Sequence, residues 1–219
     1  TELGSGFKIA MRDLSIRGAG NLLGKSQSGF IDSVGFELYS QLLEEAIAKR
    51  NGNGNKRIKG NAELILQIDA YLPDTYISDQ RHKIEIYKKI RQIDNCVNYE
   101  ELQEELMDRF GEYPDVVAYL LEIGLVKSYL DKVFVERVER KENKITVQFE
   151  KVTQRLFLAQ DYFKALSTTN LKAAIAENKG LMEVVFDVRN KKDYEILEGL
   201  LIFGESLLEI KESKEANPI

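Results

Sequence analysis

Residues 19–26 read AGNLLGKS: a small residue, four variable positions, then Gly24, Lys25 and Ser26. That order is the loose form of a phosphate-binding loop. In a working loop the backbone N–H groups cradle the phosphates, the lysine reaches the outer phosphates and the hydroxyl ligates Mg²⁺. Such chemistry needs a buried strand entering the loop and a helix leaving it at Lys-Ser, because the helix N-terminus completes the anion site. Neither flank supplies this. Upstream, Arg12, Asp13 and Arg17 interrupt the apolar run; downstream, Ser28, Gly29 and Asp32 fall in the first would-be helical turns, where glycine is a poor helix former. Leu22 and Leu23 add bulk where phosphate must approach the backbone, and no later apolar strand ends in an acidic pair for magnesium. The pattern is read as a chance match.

Other reactive residue types are sparse. His82 is the only histidine, beside Lys83 and on the same helical stretch as Glu85; one histidine without cysteine partners makes a poor metal site, so a surface position is expected. Cys96 has no visible catalytic partner and is expected to be a small buried filler. Glu44 with Glu45, and Glu104 with Glu105, are adjacent on helical patterns, so they point about 100° apart and cannot share a proton. Solvated faces are expected for them. Tyr71, Tyr76, Tyr87 and Tyr113 lack clustered cations, which favours core or interface roles over base stacking.

The elements that must position these residues follow from periodicity. Residues 32–50 carry apolar side chains at 34, 38, 42, 46 and 47, an amphipathic helix that Asp32 or Ser33 caps and Gly52 ends. Residues 50–61, RNGNGNKRIKGN, read as a linker. Then AELILQIDAYLP predicts a strand stopping at Pro73, and helices are predicted near 79–94, 98–110 and 114–131, the second closed by Gly111 and the third opened by Pro114. Alternation in KVFVERVER and KITVQFEK predicts an antiparallel pair turning at Lys141, Glu142 and Asn143. A short helix near 156–167, strands LKAAIAE and LMEVVFDV joined through Asn178, Lys179 and Gly180, and a long helix near 191–211 complete the pattern. The fold class is α+β, a small mostly antiparallel sheet packed with several helices.

The 219 residues, 43% of them hydrophobic, suffice for an ordinary core. A lone cysteine excludes an internal disulfide or cysteine cluster, and neither a signal sequence nor an apolar run of about 18 residues is evident. A cytoplasmic location with no membrane contact is expected. The net charge of −5 is unevenly spread: residues 1–60 hold nine Lys/Arg against six Asp/Glu, and the remainder 22 against 30. A basic front beside an acidic body predicts nucleic-acid contact at the front and protein contact in the body, unless both are ordinary solvated surfaces.

Residues 13–29, DLSIRGAGNLLGKSQSG, followed by VGFELY and LLEEA, closely resemble the segment after the second motor lobe in the bacterial transcription-repair coupling factors. The fork-regression helicase RecG shares the Arg-Gly-x-Gly and Gln-Ser-Gly core, known as the translocation motif. DAYLP at 69–73, YKKI at 87–90 and LMDRFGEYPD at 106–115 resemble the start of the coupling factors' C-terminal domain. The resemblance implies a C-terminal piece in three parts: residues 1–50, a translocation-motif loop and helix from the end of a helicase motor; 51–61, a linker; and 62–219, an α+β regulatory domain. It implies a parent that is an ATP-dependent DNA translocase, freeing RNA polymerase stalled at lesions and recruiting the excision-repair protein UvrA. ATP and magnesium would bind the parent's motor lobes, which this sequence lacks, so no cofactor or metal is expected here. The motif residues are Arg17, Gly18, Gly20, Gly24, Gln27 and Gly29. Arg17 and Gln27 match the family residues that couple ATP hydrolysis to DNA movement, a role suited to a forked donor and to an amide that both donates and accepts. Both could instead tie the loop to its neighbours by hydrogen bonds.

Three functions remain open at this point. The first, which the resemblance favours, is autoinhibition: the C-terminal domain clasping the parent's own excision-repair docking module. The second is a DNA-contacting adaptor using Lys8, Arg12, Arg17, Lys25 and the cations of residues 49–59 on duplex DNA. The third is a nucleotide-dependent enzyme, which requires Lys25 to respond to nucleotide.

Overall fold

The computed structural model describes residues 58–217, and the architecture below is that of these residues. The first strand, β1 (Glu63–Ile65), is shorter than its alternating sequence predicts. Gln67 takes φ 56°, the left-handed region that breaks a ladder. The alternation nevertheless persists, burying Leu66, Ile68, Ala70 and Leu72 while Gln67 and Asp69 face solvent. This stretch is an extended strap rather than a long strand. It is tied down where the Tyr71 N–H donates to the Val116 carbonyl (3.3 Å) and the Leu72 N–H donates to the Tyr87 hydroxyl (2.9 Å).

Three helices follow. Asp79 caps α1 (Gln80–Arg91) by accepting from the N–H groups of Arg81 and His82, and Asn95 caps α2 (Cys96–Phe110) by accepting from Asn98 N–H. Gly111, at φ 81°, ends α2 in a conformation that a side chain would strain. Pro114 opens α3 (Asp115–Lys132). This helix buries residues on nearly every side, from Val117 through Leu130, because it packs against α1, α2, the sheet and the last helix. A Cβ at Gly124 would come within 3.0 Å of the Ile90 carbonyl oxygen, so the α1–α3 approach depends on that glycine.

The hairpin of β2 (Val135–Lys141) and β3 (Lys144–Phe149) turns at Glu142 and Asn143 as the sequence predicts. The single helix anticipated near 156–167 is two, α4 (Thr153–Leu156) and α5 (Ala159–Leu166), since Phe157 is extended and points its ring into the core. Next, β4 (Lys172–Asn178) and β5 (Leu181–Asp187) meet at a turn whose Lys179 (φ 51°) and Gly180 (φ 78°) are both left-handed, the geometry that matches strand twist. The last helix is α6 (Asp193–Ala216).

Strand order is β1-β2-β3-β5-β4, with β1 parallel to β2 and every other pair antiparallel. Alternate residues of β3 and β5, namely Ile145, Val147, Phe149, Val184 and Phe186, are buried. Phe203 on α6 meets Phe149 and Phe186 edge-on at 6.4 and 5.5 Å, and Tyr162 on α5 meets Phe149 at 5.0 Å. Edge-to-face ring pairs of this kind add to the area they bury. Six helices around a five-stranded mixed sheet make the described part α+β, as expected.

Candidate protein-interaction faces

The translocation-motif residues Arg17, Gly18, Gly20, Gly24, Gln27 and Gly29 lie outside the described residues, as do Lys8, Arg12, Lys25, Glu44 and Glu45. What the structure does describe is how the chain enters the body. Lys127 and Asp131, one helical turn apart on α3, pair at 3.1 Å and are both nearly buried. Asp131 accepts from Ala62 N–H (2.6 Å), while Lys127 donates to the Ala62 carbonyl (2.9 Å) and to Asn61 Oδ1 (2.8 Å). Gly60 N–H donates to the Asp131 carbonyl at 2.7 Å. Burial lowers the Lys127 pKa and raises that of Asp131, so each charge depends on its partner. Lys59 and Lys132 both approach Asp94, at 3.4 and 3.5 Å. The entry point is therefore clamped.

A second charged group joins α1 to α2. Arg109 pairs with Glu85 and Glu105 at 2.8 and 2.6 Å, and Lys89 pairs with Glu105 at 2.6 Å. The hydrogen bonds from Arg109 hold Glu85 below the usual carboxylate range. Here every charge is answered.

A third face differs because most of its carboxylates form no ion pair among the described residues. Glu122 on α3 is half-buried, and burial first, then the Glu198 carboxylate on α6, pushes its pKa up to about 7. Burial, then the charges of Asp115, Asp193 and Glu122, raises the Tyr119 phenol; burial raises Tyr99 to about 12, with Glu122 again contributing. Further along, Tyr129 is raised by burial, by its bond to Cys96, and by Glu205 and Glu212. Tyr194 is 50% exposed beside Tyr119. Arg140 pairs with Asp193 at 3.5 Å and Lys132 sits over the Tyr129 ring, but Asp115, Glu122, Glu198, Glu205 and Glu212 form no ion pair among the described residues. Half-exposed tyrosines among unpaired carboxylates suit a cationic protein surface, through charge and cation–π contact.

The remaining expectations divide. His82 is exposed, and its ring lies 5.7 Å from that of Phe110. Tyr87 is buried as a core residue; Tyr76 is part-buried, its hydroxyl 2.9 Å from the Gly111 carbonyl; and Tyr113 accepts from Gln103 at 2.9 Å. Cys96 is not a buried filler: it is exposed at the first position of α2, its Sγ 3.2 Å from the Tyr129 hydroxyl. Helix starts keep side chains near solvent unless another element covers them. Glu104 is exposed, whereas Glu105 is half-buried in the α1–α2 ion pairs. Among the described residues no cluster of His, Cys, Asp and Glu suits a metal, and no helix is long and apolar enough to cross a membrane. The tyrosine–carboxylate face was missed by sequence reasoning. Glu198, Glu205 and Glu212 recur at about two helical turns and signalled one acidic stripe, but the tyrosines come from other elements.

The described residues form an α+β body with a clamped entry and charged faces. Comparison supplies its family. Residues 66–159 match the family model described as the TRCF domain. The described fold is similar to a crystal structure of the C-terminal domain of a transcription-repair coupling factor, with 94% sequence identity, a TM-score of 0.72, and coverage of 72% of this chain and 98% of that one. Transcription-repair-coupling factors of Bacillus subtilis and Staphylococcus haemolyticus are 38% identical over 211 residues and 44% identical over 182 residues. These alignments take in 96% and 82% of this chain, but the chain spans only 18% and 16% of the length of those relatives. The chain belongs to the transcription-repair coupling factor family, and its body corresponds to that family's C-terminal domain.

Proposed function

We propose that this chain is a non-catalytic, regulatory C-terminal part of a coupling factor and that its body acts by protein contact. The parent would be an ATP-driven duplex-DNA translocase that frees RNA polymerase stalled at lesions and brings in UvrA for nucleotide excision repair. The body would clasp the parent's own excision-repair docking module and restrain it until the motor engages polymerase. At the front, Arg17 and Gln27 would couple ATP hydrolysis in the parent's motor lobes to movement along DNA, with Gly18, Gly20, Gly24 and Gly29 giving that loop its turns.

The observation that carries the contact reading is the tyrosine–carboxylate face, where Glu122, Glu198, Glu205 and Glu212 lie without cations of their own among the described residues. A basic partner would relieve that repulsion, and its association would weaken with salt. Autoinhibition is a coupling between two states of the whole protein, so the isolated chain displays only its binding half.

The test is a calorimetric titration of the chain against the parent's isolated excision-repair docking module at low and high salt. Association at about micromolar Kd that weakens with salt supports the clasp. Absence of heat in both salts removes it. Salt-dependent affinity for duplex DNA, lost on changing Lys8, Arg12, Arg17 and Lys25, would favour the adaptor reading, while a nucleotide response abolished by Lys25→Ala would favour the enzyme.

A further inference from the structure

We propose that the free edge of β4 accepts an extended segment of a partner protein, carrying acidic and apolar side chains, which joins the sheet as a strand beyond β4. Among the described residues β4 ends the strand order and pairs only with β5. Its register runs unbroken from Lys172↔Asp187 to Asn178↔Leu181, without the bulge or proline that commonly blunts an edge. The outer side of such a strand presents a row of unmatched N–H and C=O groups. Ala173, Ala174 and Ala176 are small and exposed, so a second backbone has room to reach hydrogen-bonding distance.

The surroundings select the segment's chemistry. Packed beside β4, α5 and its preceding turn expose Leu158 (59%) and Phe163 (62%), large apolar groups with no cover. The side-chain amide of Gln154 donates to the Gly180 carbonyl, which brings α4 and its exposed Arg155 to the β4–β5 turn beside Lys179. Lys151, Arg155, Lys164 and Lys179 are exposed and form no ion pair among the described residues. The acidic neighbours are Glu177 on the strand itself, Glu183, which stands across from Ala176 and accepts from the Asn178 side-chain amide at 3.0 Å, and Asp187, which stands across from Lys172. Cations favour acidic side chains, and Leu158 and Phe163 favour apolar ones, so the segment carries both kinds. A nucleic-acid backbone would answer the cations but neither the apolar groups nor the main-chain edge. A second copy of this chain would offer an edge carrying Lys172 and Lys179 against one glutamate, Glu177, rather than an acidic segment.

The chain is titrated with a capped seven-residue peptide alternating glutamate and valine, and its amides are followed by NMR. Shifts and slowed exchange concentrated in residues 172–178 and α5 are expected, with binding at least tenfold weaker when alternate peptide nitrogens are methylated. Arg155→Glu with Lys164→Glu, both exposed substitutions, is expected to weaken binding at least threefold. Equal binding of the methylated peptide, or shifts concentrated elsewhere, overturns the proposal. So does tighter binding of duplex DNA to these same residues, or edge protection that rises with chain concentration before any peptide is added.

Discussion

Replacing Asp131 with alanine is expected to be among the most damaging single changes in the body. Its carboxylate is 13% exposed and Lys127 is 12% exposed, so neither charge is well solvated. In the variant, the Ala62 N–H loses its 2.6 Å acceptor and the Lys127 ammonium loses its counter-charge, keeping only the Ala62 carbonyl and Asn61. Removing one partner of a buried pair costs about 3–5 kcal/mol, largely through the uncompensated charge left behind. For a body of this size each kcal/mol lowers Tm by about 2–4 °C, so a drop of about 6–20 °C is expected. The double variant Lys127→Met with Asp131→Leu should lose less than Asp131→Ala alone, because it leaves no buried charge, although Ala62 N–H is orphaned in both. Circular dichroism melts and urea titrations, with exposed Glu136→Ala as control, measure all three. A loss for Asp131→Ala no larger than the control's, or a double variant worse than the single one, would refute the clamp.

Because folding raises the Glu122 pKa from 4.5 to about 7, the folded state holds a proton that the unfolded chain has released, and stability falls as pH rises through that window. Glu122 is half-buried and screened, so the effect should be about 1 kcal/mol, and Glu122→Gln should flatten that part of a urea-denaturation pH series; an unchanged slope would contradict the assignment. Gly199→Ala would drive its new methyl group into the Leu171 side chain, whose Cγ would lie 2.7 Å from the added Cβ, costing about 1–3 kcal/mol by overpacking; a neutral melt would show that α6 shifts freely. Cys96 should react stoichiometrically with a disulfide reagent in the native chain without denaturant, and protection until unfolding would argue that its surface is covered.

The family was legible in the sequence because DLSIRGAGNLLGKSQSG and LMDRFGEYPD are local strings, readable without any contact. Local rules also set most of the elements. Asn95 and Gly111 bound α2 because cap and left-handed stop are properties of a few adjacent residues, and Lys179-Gly180 closes its hairpin for the same reason. Tertiary structure decided the rest. The strap after β1 kept its burial alternation but lost its ladder when Gln67 went left-handed, and the helix near 156–167 broke where Phe157 turned inward. No spacing rule joins Lys127 and Asp131 to Ala62, or Glu122 to Glu198 and Tyr99, since these contacts connect residues far apart in the chain. Helical period alone makes α6 acidic along one side; only the packing of α6 on α3 turns that stripe into a face where one carboxylate repels another and tyrosines stand between them.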